Sequence, residues 1–113
     1  MGVKEATVVH QYAYQFVENI AYREDIWAIY DEVQRMIVII EETKLNRILS
    51  SPTVSSEDKA GFVRNLRQSS YRFINDLIET LIQDENYDLL LPTLEDILLK
   101  ISKSKNEYDM VVT

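Results

Sequence analysis

In 113 residues the chain has no cysteine, two glycines, two prolines and one histidine. Without cysteine there is no disulfide framework and no thiolate metal site; a reducing compartment is allowed but not required. The isolated Gly2 and Gly61 cannot form a phosphate-cradling loop. With only Pro52 and Pro92 as further breakers, the chain is short of the turn formers that an all-β domain needs. A lone His10 leaves no Ser-His-Asp or Cys-His set to assemble. No apolar run approaches the roughly 20 residues that span a bilayer. No signal-peptide pattern opens the sequence, and Ala6 stands where myristoylation needs Ser or Thr. Basic charge is scarce too: 12 Lys and Arg face 19 Asp and Glu, for a net charge of −7. That balance argues against binding a phosphate backbone and against attraction to an anionic membrane surface.

What the chain does have is helical periodicity. The stretch Val3 to Tyr22 sets Val9, Ala13, Phe16, Val17 and Ile20 on one stripe. A second helix reaches Thr43 after the polar break Arg23-Glu24-Asp25, where an acidic residue suits a helix start. Its seam is Ile26, Tyr30, Val33, Ile37 and Ile40, widened by Ile29, with Trp27 one step off. The run Met36 to Ile40 is apolar all round, which predicts enclosure by neighbours. A short helix at Leu45–Leu49 stops at Ser50-Ser51-Pro52. Ser55 followed by Asp58 resembles a capping box for a fourth helix, with Phe62, Val63 and Leu66 inward and Lys59, Arg64 and Arg67 outward. Ser69 and Ser70 end it. A fifth helix, Tyr71 to Gln83, carries Phe73, Ile74, Leu77, Ile78, Leu81 and Ile82. After a polar turn at Asp84–Asp88, a sixth carries Leu90, Leu94, Ile97, Leu98 and Ile101, with Pro92 in its first turn or kinking it. The expected fold is all-α, a compact six-helix bundle over residues 1–105. Residues 106–113 read as a tail, β-prone from Tyr108, leading toward a C-terminal region that the chain does not include.

No residue pattern calls for a cofactor, a metal or catalysis. His10 sits on a helix flank with no partner evident in the sequence, and the serines sit in turns where capping explains them. Asp84, Glu85 and Asp88 lack the alternation, the central glycine and the terminal glutamate of a calcium loop. Lys59, Arg64, Arg67 and Arg72 form a modest basic strip, the basis for an alternative reading as a regulatory or nucleic-acid-binding module.

Two helices carry more apolar surface than one core needs. Beside its core stripe the first has Val8, Tyr12, Gln15 and Asn19, a partly apolar line without charge, like the middle of an interface. The fifth has Phe73, Leu77, Thr80 and Asp84 beside its own stripe. Either both helices are central and touch neighbours on two sides, or their flanks meet as a groove for an amphipathic partner helix.

Tyr12-Ala13 with Phe16, Trp27, Leu49 with Pro52 and Lys59, Leu77-Ile78, and Leu89-Leu90 through Leu94-Glu95 occur in an order and spacing that span nearly the whole chain. In these the chain resembles the N-terminal domain of the delta subunit of bacterial F-type ATP synthase, a relative of the mitochondrial oligomycin-sensitivity-conferral protein. The resemblance implies a non-catalytic peripheral-stalk adaptor at the cytoplasmic face of the cell membrane, without nucleic acid, cofactor or membrane insertion of its own. It implies that the N-terminal helix of an alpha subunit binds between helices one and five, and that b subunits are met through the C-terminal region. Tyr12, Leu77 and Thr80 match the family's contact positions; Val8, Gln15 and Leu81 extend the site along the same helical faces. The chain departs from the family in four places. Asp84-Glu85-Asn86 replaces the frequent Asn-Gly-Arg, and Pro92 sits one place later than usual. Gln15 stands where a small residue is common, and Thr80 where an apolar one is.

Overall fold

A computed structural model describes residues 2–66 and 71–112, with side chains described through residue 104. Six α-helices follow one another: α1 (Val3–Ile20), α2 (Ile26–Thr43), α3 (Leu45–Ser50), α4 (Ser56–Arg64), α5 (Arg72–Gln83) and α6 (Leu90–Val112). A 3-10 turn, Tyr87–Leu89, leads into α6, and the described residues contain no strand. The all-α bundle expected from periodicity is the fold.

The helix ends follow local chemistry. At the start of α1, the Gly2 amide donates to the Glu5 carboxylate (3.3 Å). The Ser55 hydroxyl accepts from the Asp58 amide (3.1 Å) at the start of α4, as the capping pattern predicts. Asp25 stands at the N-cap of α2, but its carboxylate receives the Arg23 guanidinium (Nε 2.9 Å, Nη2 3.1 Å) and makes no cap bond. That pairing holds the Asp25 carboxyl below its ordinary pKa. Lys44, in the left-handed region at φ 57°, turns the chain from α2 into α3. Pro92 lies in the first turn of α6, where its missing N–H costs no helical bond.

α6 is the central packing element: α1 lies along it and α2 packs beside it, while α1 meets α5 less extensively. The core runs from Ala13, Phe16 and Ile20 through Ile29, Val33, Met36 and Ile40 to Ile74, Ile78, Leu90, Leu94, Ile97 and Ile101. The α2 seam packs inward as expected. The half-buried Tyr30 accepts from the Ser102 hydroxyl (3.3 Å) and meets the exposed Trp27 edge-on at 5.2 Å.

Several expectations are corrected. Val38 is 50% exposed, so Met36–Ile40 is enclosed only on the side of Met36, Ile37 and Ile40. Phe62 faces outward and Ala60 takes the inward place beside Val63, because Phe62 sits about 100° round the helix from Val63, on the side that no other described element covers. Tyr87 is buried inside the turn expected to be polar. The backbone from Tyr108 to Val112 continues α6 as helix and is not a strand-like tail. Arg67, Ser69 and Ser70 lie outside the described residues.

Candidate functional site

α1 and α5 run antiparallel, with Tyr12 near the C-terminal end of α5 and Asn19 toward its N-terminal end. Between them lies an open groove of about 230 Å³. Phe16 and Leu77, both buried in the core cluster, form its floor, with Phe73 and the Tyr12 ring at the sides. Gln15 and Asn19 make an uncharged wall on α1, and Asp76 and Thr80 face them from α5. The two surplus stripes therefore do meet along an opening. Of the six candidate residues, Tyr12, Gln15, Leu77 and Thr80 line it. Val8 is half-buried and not part of the lining. Leu81 is fully buried and belongs to the core, because one step past Thr80 rotates the side chain inward.

One hydrogen-bond chain ties α1 to the turn after α5 at the Tyr12 end of the groove. The Tyr12 hydroxyl donates to the Asp84 carboxylate (2.5 Å) and accepts from the Asn86 side-chain amide (2.8 Å). Partial burial, and then the bond to Asp84, raise the Tyr12 hydroxyl above its ordinary pKa. At the other end Arg23, already held by Asp25, lies over the Phe73 ring at 5.2 Å. Thr80 returns its hydroxyl to the Asp76 carbonyl (2.9 Å).

The family model for the ATP synthase delta (OSCP) subunit matches residues 8–113. The chain belongs to this family. Among curated relatives, it is 32% identical to an ATP synthase subunit delta of Streptococcus equinus over 113 residues, all of this chain and 64% of the relative. It is 31% identical to that of Streptococcus gordonii over 112 residues, 99% of this chain and 63% of the relative. It is 30% identical to that of a Streptococcus agalactiae strain, again over 64% of the relative. The chain thus spans a little under two thirds of these proteins. No solved structure matches it.

Within this family frame, the unusual turn after α5 acquires a physical meaning. Glu85 sits at φ 57°, in the left-handed region that favours glycine. The Glu85 amide donates to Ile82 O (3.1 Å) and the Asn86 amide to Leu81 O (2.9 Å), the paired bonds of a Schellman C-cap. The turn keeps its geometry with a side chain in place of glycine, and Asn86 uses that position to reach Tyr12.

On the opposite flank of α1, sequence reasoning missed a cluster. His10 is exposed but has a partner: its Nδ1 lies 2.9 Å from Oδ2 of Asp96, which is only 8% exposed. The Lys100 ammonium donates to the same oxygen at 2.9 Å. The i,i+4 spacing of Asp96 and Lys100 was a readable signal; the link to His10, 86 residues away, was not. The basic strip is mostly answered locally: Arg64 pairs with Glu79 and Arg72 with Asp76, each at 3.8 Å, and Lys59 is partly buried. Among the described residues no cluster of acidic or histidine side chains is arranged to hold a metal, and no helix is long and apolar enough to cross a membrane.

Proposed function

We propose that this chain is the helical, non-catalytic adaptor domain of an ATP synthase peripheral stalk, and that its groove takes the N-terminal helix of an alpha subunit. The observation that carries this reading is the convergence of Tyr12, Gln15, Leu77 and Thr80 on one open α1/α5 groove, in a chain of the delta family. An apolar floor between polar walls suits an amphipathic helix, with each apolar side chain it buries contributing about 1.5–3 kcal/mol before ordering costs. The bound helix would tie the catalytic hexamer to the stalk against rotor torque, at the cytoplasmic face of the bacterial membrane, in the service of proton-driven ATP synthesis. Contact with b subunits is assigned to the part of the relatives that this chain does not span.

Titrating the isotope-labelled chain with the N-terminal peptide of the cognate alpha subunit tests the reading. Shifts concentrated on α1 and α5 are expected. Gln15→Arg, at an exposed position, should block the groove and abolish those shifts while the fold persists. Shifts confined to α4, or none at high micromolar peptide, would defeat the proposal.

A further inference from the structure

We propose that Asp76 is the charge-reading residue of the groove, so that the bound helix presents a lysine or arginine to it, and that Arg72 is a built-in competitor for the same carboxylate. The inference rests on the groove being the partner site. It starts from a census of charge along the opening. Among the described residues that line the groove, only Asp76 is charged. The neighbouring charges are already engaged. Asp84 accepts from Tyr12, and Arg23 is held by two bonds to Asp25. Thr80 directs its hydroxyl to a backbone carbonyl and leaves the Asp76 carboxylate alone.

Asp76 itself is weakly engaged. It pairs with Arg72 at 3.8 Å, with the two side chains 89% (Arg72) and 67% (Asp76) exposed. A pair so long and so wet contributes little, and a cation arriving on a partner helix displaces it at small cost. The partner's cation would be partly dehydrated by the walls around it, which strengthens the new pair relative to the old one. A helix with an acidic residue at that register meets Asp76 with like charge and is rejected. The apolar floor provides adhesion, and the single carboxylate sets register and sign.

The test is calorimetric titration of the chain with the N-terminal alpha-subunit peptide, and with the same peptide after its lysines and arginines are changed to glutamine. Asp76→Asn should weaken binding of the unmodified peptide about three- to five-fold at low ionic strength, with the gap closing near about 0.5 M salt. Arg72→Gln should tighten it, and should have no effect in an Asp76→Asn background. The glutamine-substituted peptide should not distinguish Asp76 from Asn. Equal affinity of the wild-type and Asp76→Asn chains for the unmodified peptide, with its shifts still on α1 and α5, overturns the charge reading and leaves the groove standing. A peptide that does not bind at all removes both.

Discussion

The two flanks of α1 solve the same problem in opposite ways. Toward α6 the helix packs along its length and closes its seam over Ala13, Leu94 and Ile97, all without exposed surface. Toward α5 it stops short and leaves an opening. Each flank has one long-range polar tie from an α1 aromatic side chain to a carboxylate. On the α6 side His10 and Lys100 satisfy a buried Asp96. On the α5 side Tyr12 fastens an exposed Asp84. The same kind of contact serves stability where the acceptor is buried and shape where it is exposed, because only a desolvated carboxylate loses much when its donors are removed.

The contrast is open to direct attack. Ile97→Ala should cost about 2–5 kcal/mol in denaturant unfolding, since it opens a cavity in the closed seam; an equally drastic Gln15→Ala across the groove should stay within about 0.5 kcal/mol. Asp96→Asn should cost about 1–3 kcal/mol by withdrawing the charge that answers His10 and Lys100. Among the described residues Thr93 is the other buried polar side chain on α6, and its hydroxyl lacks a hydrogen-bond partner there. Thr93→Val should therefore raise stability by about 1 kcal/mol, where the neighbouring Asp96 change lowers it. On the groove side, Glu85→Gly should stabilise by about 1 kcal/mol, because it relieves a left-handed residue without touching the cap bonds.

Tyr12→Phe should have only a small effect at neutral pH, about 0.5–1 kcal/mol. Its signature is in alkali. The folded chain holds the Tyr12 proton more tightly than the unfolded chain does, so this contribution is complete below the tyrosine's ordinary pKa and fades as pH rises through the raised folded value. Tyr12→Phe should remove that alkaline loss, as measured by unfolding across pH. If Tyr12→Phe proved as costly as Ile97→Ala, the two flanks would not differ in the way described.

The helices were readable because their cores repeat. Ile26, Val33, Ile37 and Ile40 declare both a helix and its buried face. The groove was half readable: the lack of charge at Gln15 and Asn19 marked a wall, and Leu77 and Thr80 marked its opposite. Leu81 was misplaced because a stripe's edge is set by how α5 is rotated against its neighbours, which periodicity alone does not fix. Phe62 and Val38 failed for a related reason, since an apolar residue is buried only where another element covers it. His10 with Asp96, and Tyr12 with Asp84 and Asn86, join distant parts of the chain, and nothing local in the sequence encodes those meetings.

On the proposed reading, the chain's acidic charge and the groove's apolar floor separate the clocks of association and release. With a net charge of −7 the chain attracts cationic helices from beyond contact, over a screening length of about 8 Å at physiological salt. That attraction changes how often a partner arrives. Phe16 and Leu77 act only after water has left the groove, and so govern how long it stays. On the proposed reading, salt should therefore slow capture far more than it hastens escape, and the proposed tether would load quickly and still hold for long times under steady load.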